Sequence, residues 1–254
     1  MIRSWVALLC SLALLAALPH AANAADIRLL TTGAFKPIAQ DIIPTFEKET
    51  GHRVIMQNDT AGALIRKINE GAEFDVIVLT LDGLEKFYGE KKIMDDTVAP
   101  LMQVGIGMAA RIGSPRPNIA NIESFRKTLL AAKAVAYVNP ASGGTSGIYL
   151  EGLFNRLGIL PQIRAKRVLV TGGLAAQRVA SNDADIALQQ WSEIKLVSGV
   201  QHVGLIPTPI QLFTIYAGAV GYRARDKDAA MGLISAFSDP GNEPLFKRRG
   251  VELP

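Results

Sequence analysis

Cysteine and histidine are both scarce in this 254-residue sequence: Cys10 is the single cysteine, and His20, His52 and His202 are the only histidines. Cys10 and His20 fall in an apolar leader, so the remaining chain cannot be a disulfide scaffold, a thiol enzyme or a zinc ribbon. His52 and His202 stand far apart in the sequence with no acidic cluster to join them, which argues against a metal site. Aromatic residues make up 6%, and basic residues are spread along the chain. Only Lys247-Arg248-Arg249 is a cluster, in a position suited to capping a helix C-terminus. The basic footprint and aromatic platforms that nucleic acid requires are both absent, so no nucleic-acid partner is expected.

The first residues differ in character from the rest. Arg3 precedes an apolar run, Val6–Leu18, broken only by Ser11, and Ala22-Asn23-Ala24 fits a small-x-small cleavage pattern. Residues 1–24 are therefore expected to be a secretory signal peptide cleaved before Ala25, which makes the mature protein an exported one. A retained anchor is the alternative, but the run is short of the roughly 20 apolar residues that a spanning helix needs. Leu9, before Cys10, has the wrong size for a lipid-attachment signal. Loss of the leader removes one charged residue, Arg3, and lowers the formal charge from +4 to +3.

From Ile27 onward, short apolar runs alternate with amphipathic ones. Ile27–Leu30 precedes Thr31-Thr32-Gly33-Ala34 and a helical pattern from Pro37 to Thr50, with Ile38, Ile42, Ile43 and Phe46 on one face. Val54–Gln57, the loop Asn58-Asp59-Thr60-Ala61-Gly62 and a helix carrying Leu64, Ile65 and Ile68 form a second unit. Phe74–Leu79 then reads as a parallel strand covered on both faces. Val104–Ala109, followed by Gly113-Ser114-Pro115-Arg116-Pro117, reads as a crossing into a second lobe. That lobe repeats the plan with strands at Ala134–Tyr137, Val168–Val170 and Ile186–Leu188, and helices over Ile148–Leu157 and Leu174–Ser181. Val203–Ile206 and Pro207-Thr208-Pro209 begin a return, Phe213–Val220 re-enters the first lobe, and Ala229–Phe237 is a closing helix. The expected fold is α/β, with two lobes that are each a doubly wound sheet flanked by helices, joined by two hinge crossings. Residues 25–105 and 210–254 form lobe I, and residues 106–209 form lobe II.

In a doubly wound sheet the loops at the carboxyl ends of the strands converge on one crevice. Thr32, Gly33, Thr60, Ala61 and Gly62 should share its rim. From the second lobe comes Asn139-Pro-Ala-Ser-Gly-Gly-Thr-Ser-Gly147, a Gly-rich loop between strand and helix. Its helix start leaves backbone N–H groups without intrahelical partners, and Ser142, Thr145 and Ser146 add hydroxyls, a combination that suits an anion. Standing alone, such a loop reads equally as an N-capped turn. Two crossings between two loop-lined faces make a cleft that can close. Lys36 either reaches into that cleft or is a solvated helix start. Gln190 either donates to a ligand carboxylate or satisfies backbone at a strand end. Asp59 and Asp82 are expected to cap helices or point outward, and Trp191 to pack.

Several segments carry a family resemblance. They are Thr32-Gly33-Ala34-Phe35, Ala63-Leu64-Ile65-Arg66-Lys67-Ile68 with Gly71 and Phe74-Asp75-Val76-Ile77-Val78, Asn139-Pro140 before Ser146-Gly147-Ile148-Tyr149, Asp183–Leu188, and the ending from Asp239-Pro240 to Gly250. In this order they resemble the type II periplasmic solute-binding fold, and within it the molybdate-binding proteins of ABC importers. The resemblance spans nearly the whole chain after the leader and implies a monomer that hands a small anionic solute to a membrane permease. It places first-lobe contacts on Thr32, Gly33, Thr60, Ala61 and Gly62. Second-lobe contacts fall on Ser146, Gly172 and Gln190, and the Gly-rich loop, read from its own residues, adds Ser142, Gly143, Gly144 and Thr145 as candidate ligand contacts. The sequence departs from the family by lacking a serine near Gly62 and a tyrosine near Gln190, and by a longer loop over Ala141–Thr145. The pattern is also similar to relatives that bind larger organic anions, polycarboxylates or phosphorylated acids, and an exported sensing or surface module without a permease has the same signature.

Catalysis is not expected from these residues. Neither His52 nor His202 falls in a cleft loop, so a Ser-His-Asp arrangement lacks its base. Gly143–Gly147 is not a G-x-S-x-G elbow, and no lysine follows the glycines as in a phosphate-cradling loop. No cofactor is implied.

Overall fold

The structure is a computed structural model that describes residues 24–254; the expected leader lies outside the described residues, except for Ala24. The chain runs β1 (Asp26–Thr32), α1 (Lys36–Thr50), β2 (Arg53–Asp59), α2 (Ala61–Asn69), β3 (Val76–Thr80), α3 (Leu81–Glu85) and β4 (Ala99–Val104). After Gly105 come β5 (Ile106–Arg111), α4 (Ile122–Ala131), β6 (Val135–Val138), α5 (Thr145–Arg156), α6 (Leu160–Arg164), β7 (Arg167–Val170), α7 (Ala176–Ala180), β8 (Ile186–Gln190), α8 (Trp191–Ile194) and β9 (Val200–Leu205). The chain then returns through β10 (Thr214–Val220), α9 (Lys227–Phe237) and α10 (Glu243–Arg249).

The strands form two five-stranded sheets, ordered β2-β1-β3-β10-β4 and β7-β6-β8-β5-β9. Four strands of each run in one direction and one runs against them, β10 between β3 and β4 and β5 between β8 and β9. The two lobes thus share one plan, and each lends its partner a strand that has just crossed over. Alternation along β1 and β3 divides the first core: Leu29, Val76 and Val78 pack under α1 and α9, while Leu30, Ile77 and Leu79 meet α2 and α3. The second lobe does the same, with Ile106, Met108 and Tyr137 against α5 on one face and Ala109, Ala136 and Ala187 against α7 on the other.

Several boundaries differ from the sequence reading for physical reasons. The run Val104–Ala109 is two strands, because Gly105 ends β4 and begins the second sheet at β5. A side chain at Gly105 would meet the Gln211 amide of the return crossing. That amide accepts from Ile106 N at 2.8 Å and donates to Ile106 O at 2.9 Å, so it ties the two crossings side by side. Strand β4 was hidden by Pro100, which is tolerated because β4 is the last strand of its sheet, paired with β10 and bridged on its outer side at Gln103 by Glu252, away from the proline. Ala61, Gly62, Thr145 and Ser146 are first-turn helix residues, not loop, and Gln190 closes β8.

Asp75 anchors the first lobe. It is 1% exposed, and its carboxylate accepts from Arg28 N at 2.8 Å, from Arg28 Nε and Nη2 at 2.9 Å, and from Arg225 N at 2.9 Å. Burial alone would raise its pKa, but the Arg28 guanidinium and the two backbone donors outweigh it and hold the carboxyl below its ordinary value.

Candidate anion cleft

Loops at the carboxyl ends of β1, β2, β6, β7 and β8 face one another across a cavity of about 270 Å³ between the sheets. Nine of the residues marked from the sequence line it: Thr32, Gly33, Thr60, Ala61, Gly144, Thr145, Ser146, Gly172 and Gln190. Gly62, Ser142 and Gly143 do not. They form the seam where the lobes touch: Gly62 N donates to Gly143 O at 3.0 Å, and Thr60 Oγ1 donates to Ser142 O at 2.5 Å. The Ser142 hydroxyl is turned back onto Asn139 O. Gly62 and Gly143 pass so closely that a Cβ on Gly62 would lie 2.7 Å from Gly143 Cα, and Gly143 also has a φ of 78°. Glycine is needed at both positions by contact, not by chemistry.

The donors are mostly neutral. Helix α5 opens on Gly144 with no side-chain cap, so the first-turn N–H groups of Thr145 and Ser146 stand at the cavity wall. Thr60 instead caps α2 through Ala63 N at 3.2 Å. Lys36 is half-buried and is the one cationic residue of the lining. Asp59 also lines the cavity, but its charge is met by Thr60 N at 2.8 Å and Lys67 Nζ at 2.9 Å. Two buried oxygens of the lining, Thr32 Oγ1 and Gln190 Oε1, have no hydrogen-bond partner. Asp82 stays off the cavity lining, and Trp191 packs against Gly107, Gly250 and the edge of His202.

Sequence reasoning missed Tyr216 and Glu193. The tyrosine hydroxyl that the family resemblance found missing beside Gln190 comes from β10: Gln190 Nε2 donates to Tyr216 Oη at 3.3 Å and to Thr214 Oγ1 at 3.1 Å. Burial and then the neighbouring Glu193 raise the Tyr216 pKa, so the phenol keeps its proton. Glu193 is 9% exposed and its carboxyl is pushed up to about 8 by burial, against a smaller opposing effect of the Gln189 amide. One of its oxygens packs on the Gly33 backbone of the other lobe, where a Cβ would come within 2.5 Å of it. Nearby, Ser192 Oγ donates across the seam to Ala34 O at 2.8 Å. The signal for Glu193 was its place just after the strand ending in Gln189-Gln190, which puts it at the crevice.

A family model described as bacterial extracellular solute-binding protein matches residues 27–252. The chain belongs to this family. As a solute-binding protein of this type it is 31% identical to an aconitate isomerase from Pseudomonas sp., over 94% of both chains. It is 26% identical to the molybdate-binding protein ModA of Azotobacter vinelandii, over 92% of both. The solved periplasmic molybdate-binding protein of Azotobacter vinelandii superposes with a TM-score of 0.74 at 18% identity, covering 90% of this chain and 99% of that one. The type II periplasmic binding fold expected from the sequence is therefore the fold observed.

The expectation that the solute-binding protein is not an enzyme does not stand. It rested on the missing histidine base, nucleophile elbow, phosphate-cradling lysine and metal cluster, yet a relative matching almost end to end carries an enzyme's name. The physical gap in that reasoning is Glu193: a carboxyl whose proton is held near neutral pH can do acid–base work that a histidine would otherwise do.

Proposed function

We propose that this protein captures a small unsaturated polycarboxylate of the aconitate class between its lobes and interconverts its geometric isomers. The observation that carries the reading is the 31% identity to an aconitate isomerase along 94% of each chain. The cavity agrees with it. A volume of about 270 Å³ approaches the roughly 300 Å³ at which small-molecule pockets begin, and is generous for one tetrahedral oxyanion. The α5 N–H groups, the hydroxyls of Thr145 and Ser146, and Lys36 supply separated donors for several carboxylates, each charge-assisted bond contributing on the order of 1.5–3 kcal/mol.

Isomerisation of such an acid needs no oxidant. A C–H bond breaks at the methylene carbon, its electron pair forms the new double bond, and the old double bond closes by taking a proton at its far carbon. The same acid results, with the double bond moved one position and its geometry reset. A second reading, supported by the 26% identity to ModA, is that the closed monomer hands an oxyanion or organic anion to an ABC permease in the periplasm.

The test is to follow cis-aconitate by proton NMR with the mature protein, stripped of co-purified ligand. The expected result is appearance of the trans isomer until the two reach a fixed ratio, approached equally from either side. A spectrum unchanged by stoichiometric protein would overturn the isomerase reading.

A further inference from the structure

Among the residues lining the cleft, four have ionisable side chains: Lys36, Asp59, Glu193 and Tyr216. Neither histidine is in the lining. Asp59 is already engaged by Lys67 and by the amide that follows it. Tyr216 is buried beside the Gln190 amide and a carboxyl, surroundings that hold its proton firmly. Lys36 sits at the mouth of α1, where its charge suits a ligand carboxylate. Glu193 differs from all three. Its carboxyl is more than nine-tenths buried at the cavity wall, packed on the Gly33 backbone at the seam between lobes, and no cation is among the influences on it.

We propose that Glu193 is the catalytic residue that takes the proton from the methylene carbon of the bound polycarboxylate and returns it to the far alkene carbon. This assignment rests on the isomerase reading above. Ionised Glu193 accepts the proton as the C–H bond breaks, the electron pair moves along the allylic carbons, and neutral Glu193 gives the proton back at the other end. The group ends as it began, so no second residue and no outside reagent is needed. Lobe closure serves the step, because it excludes water from a carboxyl whose basicity depends on burial. Facing Glu193 in the closed cleft are Tyr216 from β10 and Gly33 from the β1–α1 loop, with Lys36 and Asp59 lining the same cavity.

The test compares wild type with Glu193→Gln and Glu193→Asp. Binding is read by titration with tricarballylate, the saturated analogue, which has no double bond to move. The expected result is tricarballylate affinity within about threefold of wild type for Glu193→Gln, with isomerisation slowed roughly 100- to 10,000-fold. Wild-type kcat/KM is expected to climb with pH toward a limb near 8, where the free carboxyl ionises. In D2O, product from wild type is expected to carry less than one deuterium per turnover, since one carboxyl takes and returns the proton. If Glu193→Gln isomerises within about threefold of wild type, the assignment is wrong and the function reading survives. If wild type binds tricarballylate but never isomerises aconitate, the isomerase reading fails and takes the assignment with it. A Glu193→Gln variant that no longer binds tricarballylate, together with a wild-type kcat/KM that shows no limb near 8, would mark Glu193 as structural and overturn the proposal.

Discussion

Replacing Asp75 by alanine lowers the melting temperature by about 10 °C. The change strips four hydrogen bonds from one buried carboxylate, leaving the Arg28 guanidinium and the amides of Arg28 and Arg225 without it. Removing one partner of a buried ion pair costs about 3–5 kcal/mol, because the remaining charge is left uncompensated in a medium that solvates it poorly. In a domain of this size each kcal/mol shifts the midpoint by roughly 2–4 °C. Arg28 retains a contact with exposed Glu73, which places the loss toward the lower end of that range. The pH dependence has a definite sign. Asp75 has a depressed pKa in the folded state, so its contribution is full above the unfolded value near 3.8 and is lost as acid protonates the native carboxylate. Wild type and variant should differ fully at pH 7 and converge in acid, as thermal unfolding across that range would show. A difference independent of pH would remove the ion pair as its cause.

Substituting Gly62 by alanine weakens ligand capture by about 10- to 100-fold and leaves each lobe folded. The added Cβ would lie 2.7 Å from Gly143 Cα, a backbone atom that cannot rotate aside. Overpacking of this kind costs about 1–3 kcal/mol, and every 1.4 kcal/mol is a factor of ten in affinity. The penalty falls on the closed form alone, because Gly62 is on α2 of one lobe and Gly143 precedes α5 of the other. Circular dichroism and the melting temperature of the ligand-free variant should match wild type while titration shows the weakened binding. Unchanged affinity would mean that the Gly62–Gly143 contact is not part of the bound state.

Much of the fold was legible because its signals are local. The apolar run at Phe74–Leu79 reads as a strand covered on both faces, and Pro37 with Ile38, Ile42 and Phe46 reads as an amphipathic helix. Parallel strands then forced Thr32, Thr60, Ser146 and Gly172 toward one crevice without any tertiary information. What escaped depends on contacts between distant segments. Gly62, Ser142 and Gly143 resemble anion-binding residues in sequence, but the approach of two backbones makes them a seam. Tyr216 lies within the apolar run Phe213–Val220, which signals only a strand, and the return crossing brings its hydroxyl beside Gln190. Glu193 is one glutamate among many until burial at the seam sets it apart. The enzyme reading was missed for that same reason: acid–base capacity was sought in histidines, which sequence displays, and not in the burial of a carboxyl, which it does not.

The most direct test of capture between the lobes is the thermal shift of the stripped mature protein with cis-aconitate, tricarballylate, molybdate and sulfate. A ligand bound across both lobes at about 100 times its Kd adds roughly 2.7 kcal/mol. The account predicts that the tricarboxylates raise the midpoint by about 5–10 °C, at roughly 2–4 °C per kcal/mol, and that Gly62→Ala blunts the rise. A shift with molybdate or sulfate alone, or none with the tricarboxylates, would contradict it.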